Sequence, residues 1–192
     1  MATSVANKVK YNIHNVYYAP LTIAADGTYT FATPIAMPGA KSISLKANGE
    51  PKSYYADGVE YYTVNNNQGY DGDLEITLVP ESFDADVLCQ TKDTNGVYTE
   101  NSNSQTGNFA LLFDFDGDQT STHHVLYKCS ASRPTIEGKT NEETKEVQSD
   151  KLTIKCRPLP DGVVKAKSGK DTPPTVSTAW FTAVYKAPTT AA

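Results

Sequence analysis

Segments in which hydrophobic and polar residues alternate recur along the whole chain. The alternation is clear at 9–18, 41–46 and 73–79. It predicts half-buried strands, because successive side chains of a strand point to opposite faces of its sheet. Residues 109–115 are apolar apart from one aspartate and predict a central strand, from which residues 120–131 return as the second half of a long hairpin. The pattern therefore indicates a mostly β protein.

Two more strands are predicted near the C-terminus, at 147–157 and at 178–185. In the first, Val147 is expected to point inward together with three residues of the same face, Leu152, Ile154 and Cys156. Residues 137–148 are charged and have no apolar stripe, so they are predicted to form an exposed loop or edge. Residues 187–192 are predicted to be a disordered tail.

One helix is predicted, beginning near Pro80. Negative charge suits the positive end of the helix dipole, and it comes here from Glu81, Asp84 and Asp86. The apolar side chains form one narrow stripe of Phe83, Val87 and Leu88. With about nine to eleven strands, the pattern predicts a sandwich or small barrel with one flanking α-helix, in a single domain over residues 1–186.

The segment 47–72 departs from this pattern. It contains four Gly and five Tyr but hardly any aliphatic residue, so it buries little in its own core. Tyr54-Tyr55 and Tyr61-Tyr62 predict two short strands around an Asp57-Gly58 turn. Long connections of this kind are uncommon in compact domains unless they have a function, and an ordinary surface hairpin is the alternative.

Composition narrows the possible functions. The net charge of -5 disfavours a nucleic-acid binder, because phosphate contacts need clustered Lys and Arg. The odd number of cysteines favours three reduced core thiols over a disulfide scaffold, and these are Cys89, Cys129 and Cys156. The first ten residues lack the apolar region of a secretory signal. No run of about 18 apolar residues predicts a membrane span.

Candidate chemistry is weak. Asp114, Asp116 and Asp118 resemble a calcium loop, but the glycine falls at the fourth place instead of the sixth, and a hairpin turn is the preferred interpretation. His123 and His124 are neighbours on a predicted strand and point to opposite faces, so they do not form one metal site. No nucleophile or phosphate-binding motif occurs. The prediction is a protein that is not an enzyme and needs no cofactor or metal.

Eight stretches in order along the chain carry a family resemblance. They are N-K-V-K-Y-N-I-H-N-V-Y-Y-A (7–19), P-G-A-K-S-I-S-L (38–45), Y-A-D-G-V-E-Y-Y (55–62), N-Q-G-Y-D-G-D-L-E-I-T-L-V-P (67–80), F-A-L-L-F-D-F-D-G-D (109–118), H-V-L-Y-K-C-S-A-S-R-P (124–134), E-G-K-T (137–140) and A-W-F-T-A-V-Y (179–185). With them the chain resembles the phi13-type major tail proteins, the tail tube proteins of long, flexible-tailed phages (siphophages). Each stretch alone is short, and the ordered set is specific.

The resemblance implies a tail-tube fold of two packed antiparallel sheets with a flanking helix. It further implies six copies in a ring, and rings stacked into a tube around a tape-measure protein. The expected partners are other copies of the chain, the tape-measure protein, the tail terminator and distal tail or baseplate proteins, with transient passage of DNA and no membrane. The expected location is the virion tail, after assembly in the cytoplasm of the bacterial host.

On this interpretation the segment 47–72 is an extended assembly loop, poorly ordered in the monomer and ordered against the neighbouring ring. The interface candidates are Tyr54, Tyr55, Asp57, Gly58, Tyr61, Tyr62, Gly69 and Tyr70. An acidic lumen would let DNA slide, and Asp84 and Asp86 on the predicted helix are its candidate residues. The acidic balance is equally a common solubility device.

Two other functions fit the same composition. One is a different β-sandwich virion part, such as a distal tail or decoration protein. The other is a carbohydrate-binding β-module, in which tyrosines and the single tryptophan, Trp180, would stack on sugar rings.

Overall fold

The structure of the chain is a computed structural model, which describes residues 6–140 and 147–188. The described residues form thirteen strands and two short helices. The strands are β1 (Lys10–Ile23), β2 (Tyr29–Phe31), β3 (Ile35–Ala36), β4 (Ala40–Asn48), β5 (Lys52–Ala56), β6 (Val59–Val64), β7 (Gly69–Ile76), β8 (Thr91–Lys92), β9 (Tyr98–Thr99), β10 (Asn108–Gly117), β11 (Thr122–Ala131), β12 (Asp150–Cys156) and β13 (Lys165–Lys167). The helices are α1 (Glu81–Asp86) and α2 (Pro174–Ala179). The predicted mostly β fold is confirmed, with one short helix more than predicted.

Nine of the strands belong to one antiparallel sheet. Its order is β2-β1-β10-β11-β12-β7-β4, with β3 added to β1 and β13 added to β11. The branch point is β11, where residues 124–126 pair with β13 and residues 129–131 pair with β12. The sheet branches there, so the large sheet is one continuous branched sheet, and the expected packing of two sheets stays a prediction.

The main sheet surrounds the larger of two hydrophobic cores. Phe109, Leu111 and Phe113 of β10 enter this core, and Leu74 of β7 and Ile154 of β12 meet them there. Strands β1 and β4 stand near opposite ends of the strand order and still contact one another. The sheet therefore curves round its core, as a half-closed barrel does.

A second core covers the outer face of β1, β10 and β11. Ala110 and Leu112 of β10 lie in it, beneath the C-terminal segment that carries Trp180. The indole of Trp180 is 2% exposed and stacks on the rings of Tyr185 and His123. Because β10 is buried on both faces, its sequence is apolar almost throughout.

The predicted strand at 178–185 is wrong. Residues 174–179 form α2, and turns follow it. A strand would place the neighbours Trp180 and Phe181 on opposite faces, but both pack into the second core together with Tyr185. Two consecutive aromatic side chains can pack into the same core only where the backbone turns, as it does after α2.

The prediction for Val147 is also wrong. Its side chain is 84% exposed, because β12 begins only at Asp150. The other three inward residues of that strand are fully buried as predicted, and they are Leu152, Ile154 and Cys156. Residues 141–146 of the predicted loop and 189–192 of the predicted tail lie outside the described residues.

Helix α1 begins directly after Pro80, as predicted, and has six residues. Its predicted stripe is buried and lies in the larger core. The ring of Phe83 meets those of Tyr18 and Phe109 edge-on, at centroid distances of 5.1 and 5.3 Å. The helix thereby covers the part of the core that the sheet leaves open.

Two of the cysteines are core residues, as predicted. Cys129 of β11 stands directly opposite Cys156 of β12, and both are free thiols without exposed surface. Burial raises the pKa of the Cys129 thiol, which keeps it neutral and unreactive. Cys89 is half-buried and follows α1 with a φ of 55°.

Candidate assembly surfaces

A separate β-ribbon projects from the main sheet between β4 and β7. It consists of β5 and β6, which form a sheet of two strands. Asp57 and Gly58 make the turn with φ angles of 53° and 78°, the type I′ geometry that favours Asp-Gly. The predicted strands and turn are thus confirmed, whereas the expectation that this segment is poorly ordered in the monomer does not fit its hydrogen-bonded ladder. We call residues 49–68 the arm.

The arm exposes an unusual amount of large apolar surface. All the side chains of β6 are exposed, as are those of β5 up to Tyr55. The large ones are Tyr54 (65%), Tyr55 (65%), Val59 (61%), Tyr61 (72%), Tyr62 (64%) and Val64 (49%). Single exposed apolar residues are normal, but a contiguous group on one element marks an interaction surface.

One face of the arm is mainly apolar, with Lys52 as its charged residue, and the other is mainly polar, with Tyr55 as its aromatic residue. Tyr54 stands opposite Tyr62, and the neighbouring pairs on that face bring in Val59 and Val64. On the other face the Glu60 carboxylate accepts hydrogen bonds from two hydroxyl groups, those of Ser53 and Thr63. We call Tyr54, Val59, Tyr62 and Val64 the arm face. Tyr61 is the extra residue of a bulge in the ladder.

The base of the arm is tightly built. Gly49 has a φ of 106°, and a Cβ there would lie 2.0 Å from the carbonyl oxygen of Asn66. Such a position admits glycine alone. The amide of Gln68 donates to the carbonyl of Asn48, 3.0 Å away, which continues the β4–β7 ladder up to the arm.

Two of the eight interface candidates lie in the body of the protein. Gly69 is the buried first residue of β7, and a Cβ there would lie 2.0 Å from the carbonyl oxygen of Cys156. Tyr70 is half-buried against the larger core. The structure gathers the other six in the arm, and these are Tyr54, Tyr55, Asp57, Gly58, Tyr61 and Tyr62. Contact of any of the eight with another subunit stays a prediction.

The two lumen candidates lie on α1. Asp86 is exposed and accepts a hydrogen bond of 2.9 Å from the Tyr18 hydroxyl, whose pKa burial raises to about 12. Asp84 is half-buried, and desolvation raises the pKa of its carboxyl group, with a further contribution from the Asp150 carboxylate. Asp86 thus has a structural contact, and its place in a lumen stays a prediction.

Charged residues fill the outward face of β7 and its neighbours. Asp71, Asp73 and Glu75 alternate along β7, and each carboxylate meets a cation of a neighbouring segment. The partners are Arg157 at 2.5 Å, Lys151 at 3.0 Å and Lys41 at 2.6 Å, in the same order. Hydrogen bonds from Lys41 and Ser149 lower the pKa of Glu75 to about 2.

Among the described residues, Asp114 is the one carboxylate that is buried, and 1% of its surface is exposed. It lies in register between His14 of β1 and His123 of β11. The Nδ1 atom of His123 is 2.6 Å from one carboxylate oxygen, and the Asn15 amide donates to the other across 3.1 Å. This ladder is a polar network in which the buried charge has partners on both sides. Pairing the predicted strands in register would have revealed it.

Neither the acidic turn at 114–118 nor the pair of His123 and His124 forms a metal site. Among residues 6–140 and 147–188, no group of three or more His, Cys, Asp or Glu side chains is arranged to hold a metal ion. Asp116 and Asp118 connect the turn of the β10–β11 hairpin to the N-terminal segment, because they bind His14 and the Lys8 amide respectively. The same part of the chain has no helix with the length and hydrophobicity of a membrane span.

The two adjacent histidines point to opposite faces, as predicted. The His124 ring stacks on Phe113 at an interplanar angle of 2° and a centroid distance of 5.2 Å. Burial lowers the pKa of His124 to about 4, and the nearby ammonium groups of Lys165 and Lys167 act in the same direction. The ring is therefore neutral in the folded protein at pH values where it is protonated in the unfolded chain.

We expect His124 to make the fold sensitive to mild acid. A depressed folded pKa gives stability that is complete above the unfolded value near 6.5 and declines as the pH falls toward 4. From pH 7 to pH 5 the free energy of unfolding should fall by about 1 to 2 kcal/mol through this group. The His124→Phe variant keeps the stacked ring and should lose this part of the pH dependence in urea titrations. An equal loss in both proteins would contradict the assignment.

Sequence reasoning missed two members of the arm face, Val59 and Val64. Strict alternation of V-E-Y-Y-T-V puts them on opposite faces, and only the bulge at Tyr61 brings both to the face of Tyr62.

The alternation over 73–79 also places Leu78 on the same face as Leu74 and Ile76, and this expectation is wrong: its side chain is 72% exposed, because β7 ends at Ile76. Val79, which lies between Leu78 and Pro80, is buried instead.

Comparison with known proteins gives one positive result. A sequence model of the family described as phage tail tube protein matches residues 6–184. No curated protein matches the chain. The matched range contains the arm, both cores and the charged face of β7.

Proposed function

The chain belongs to the phage tail tube protein family and is a structural component of the tail, and we propose that it polymerises through its arm. The finer proposal is a siphophage tail in which six copies form a ring and the rings stack. The tube would surround the tape-measure protein, end at the tail terminator and at distal tail or baseplate proteins, and conduct DNA during ejection. Assembly would take place in the host cytoplasm, and the protein would catalyse no reaction.

One observation carries the proposal: the arm face is a large apolar surface that the subunit itself does not cover. Tyrosine provides contact area with a polar tip, which suits a surface that must be soluble before assembly and buried after it. A head-to-tail contact repeated by rotation closes a ring, and repeated along an axis it builds a filament. The arm gives each subunit a means of reaching a neighbour.

The long edge strand β4 supports a second, lateral contact. It has nine residues and pairs with β7 on one side, and no described strand pairs with its other side. Proteins blunt such edges or pair them with another chain. Toward the other end of the strand order, β1 carries bulges at Asn12 and Asn15, both with φ near 50°, in its ladder with β10, and the short strands β2 and β3 pair with part of its other side.

The individual contacts between subunits do not need to be strong. A contact of about 4 kcal/mol corresponds to a millimolar dissociation constant. A subunit held by several neighbours at once gains from their effective concentration, so the tube is stable while a pair of subunits is not. The protein would then stay soluble until a surface nucleates the tube.

A conduit for DNA needs a wall without clustered unpaired cations, because phosphate contacts would hold the DNA. Two surfaces are candidates. Asp84 and Asp86 on α1 are the acidic one, and the outward face of β7 is the second. On that face Asp71, Asp73 and Glu75 neutralise three cations.

The carbohydrate-binding alternative loses its main support. It needs an exposed aromatic platform, and Trp180 is buried in the second core. The arm tyrosines stand on a projecting ribbon of two strands. A distal tail or decoration protein remains distinguishable by experiment, since it should not form long tubes alone.

Negative-stain electron microscopy of the purified protein over a range of concentrations tests the proposal. We expect rings or tubes from the wild type, and a folded monomer without tubes after deletion of residues 50–66. The deletion leaves both cores intact, so its melting temperature should stay close to that of the wild type. A wild-type protein that is monomeric at every concentration, or a deletion variant that forms normal tubes, would refute the proposal.

A further inference from the structure

Two free thiols face each other at the branch point of the main sheet. They belong to Cys129 of β11 and Cys156 of β12, and both lie in the larger core. The ladder that holds them together has three residue pairs, because β11 pairs with β13 before it reaches β12. This short ladder is the connection, within the sheet, between β1, β10 and β11 on one side and the strands that carry the arm on the other.

The strand register gives the two cysteines the spacing of a disulfide. On one side of the pair, the Arg157 amide donates to the carbonyl of Lys128 across 2.8 Å. On the other side, the Ser132 amide donates to the carbonyl of Thr153 across 2.9 Å. Hydrogen-bonded and non-hydrogen-bonded pairs alternate along an antiparallel ladder, so the cysteines form a non-hydrogen-bonded pair, with Cα atoms about 4.5 Å apart. A disulfide joins Cα atoms that are about 4.4 to 6.8 Å apart.

The two sulfur atoms also point at the same junction of the backbone. The Sγ atom of Cys129 lies 3.7 Å from the carbonyl oxygen of Leu126. The Sγ atom of Cys156 lies 3.8 Å from the carbonyl oxygen of Val164. These two carbonyl groups are neighbours, because the Tyr127 amide, in the same peptide unit as the Leu126 carbonyl, donates to Val164 across 3.1 Å. Both side chains therefore converge where β13 joins β11.

The two thiols differ in acidity. A hydrogen bond from the Cys129 thiol lowers the pKa of Cys156 against the opposing effect of burial, and the positive charge of Arg157 acts in the same direction as the hydrogen bond. Burial raises the pKa of Cys129, so that thiol stays neutral. The thiolate is the nucleophilic form of cysteine. Cys156 is therefore the sulfur that reacts first with an oxidant, and Cys129 is the thiol beside it.

We propose that Cys129 and Cys156 are a site of oxidative modification, at which hydrogen peroxide produces a disulfide between β11 and β12. The Cys156 sulfur attacks one peroxide oxygen, the O–O bond breaks, and a sulfenic acid and one water form. The Cys129 sulfur then attacks the sulfenic sulfur, the S–O bond breaks, and the hydroxyl group leaves as water with the Cys129 proton. In total, two thiols are oxidised and one peroxide is reduced to two waters.

The disulfide would fasten the sheet at its branch point. A ladder of three pairs opens locally at a lower cost than either core, which admits an oxidant as small as hydrogen peroxide. Once formed, the cross-link closes a loop between residues 129 and 156 and restricts the unfolded chain. On the proposed function, the chain is made among reduced thiols and later leaves the cell, so it would fold first and gain the cross-link afterwards.

The test uses the full chain and oxidises the folded protein with hydrogen peroxide. The matched control is Cys89→Ser, which keeps the pair and removes the half-buried third cysteine. The second variant combines Cys89→Ser with Cys129→Ala, so that Cys156 has no partner. After removal of the peroxide, each protein is unfolded in urea with a maleimide, and the intact mass gives the number of free thiols. Circular dichroism establishes that both variants fold as the wild type does.

We expect the Cys89→Ser protein to become about 2 Da lighter as a monomer and to take up no maleimide, because both thiols lose their protons to the disulfide. Its melting temperature should rise by about 5 to 10 °C and return to the starting value after reduction with dithiothreitol. The second variant should gain oxygen at Cys156 and show no such rise.

Two maleimides on the peroxide-treated Cys89→Ser protein would overturn this inference, and so would sulfinic acid without a cross-link. The pair would then be two inert core thiols. Neither the mass nor the melting temperature depends on tube formation, so a failure of the proposed function gives a different result from a failure of this inference.

Discussion

Replacing Phe83 by alanine should lower the free energy of unfolding by about 3 to 5 kcal/mol. The side chain is fully buried and packs edge-on against Tyr18 and Phe109. A helix of six residues is far too short to be stable alone, so α1 depends on this anchor for its position. The truncation would leave a cavity in the larger core and release the segment that closes it.

Urea unfolding followed by the fluorescence of Trp180 measures this effect. Trp180 lies in the second core, on the other face of the sheet, so the signal reports the global transition and not the local change. The matched control is Phe83→Leu, which should cost less than about 1.5 kcal/mol because it keeps most of the volume. If the alanine variant were as stable as the leucine variant, α1 would not be a structural element of the core.

Replacing Asp114 by alanine is expected to cost about 3 kcal/mol, although it removes an unfavourably buried charge. The reason is the polar network around it. His123 directs its Nδ1 atom at this carboxylate across 2.6 Å, and alanine leaves the mostly buried imidazole without its partner, whereas the exposed Asn15 amide, at 3.1 Å, can bind water instead. Unpaired buried polar groups cost more than the hydrogen bonds themselves contribute.

The matched control for this prediction is Asp171→Ala. Asp171 is 77% exposed and pairs with Lys170 at 3.8 Å on the surface, so its removal should change stability by less than about 0.5 kcal/mol. Chemical denaturation at pH 7 gives both values. A cost at Asp114 no larger than that at Asp171 would show that the ladder across β1, β10 and β11 does not stabilise the fold.

Local patterns in the sequence predicted most strands correctly. Alternation identified β4, β7 and β12, and the apolar run at 109–115 identified a strand buried on both faces. The Asp57-Gly58 signal predicted the arm turn, because few other dipeptides accept two successive residues with positive φ. These features depend on residues that are close together in the sequence, so local patterns are enough to predict them.

Features that depend on distant residues could not be predicted in the same way. Trp180 and Phe181 predict a strand by composition, and only the second core explains why a turning backbone places both on one side. The burial of Asp114 depends on the register of three strands. For the candidate surface, the tyrosines and the Asp57-Gly58 turn predict the arm, whereas the bulge at Tyr61, which brings Val59 and Val64 to one face, has no local signature.

The paired ladder of β5 and β6 has a kinetic consequence. An arm that reached its neighbour as a floppy loop would lose backbone entropy of about 1 to 2 kcal/mol for each residue that became ordered on contact. The ribbon has already lost that entropy when the subunit folds, so joining the tube requires little further ordering. A preorganised arm favours fast capture of incoming subunits, and it shifts the slow step of polymerisation from growth to the first encounter between copies.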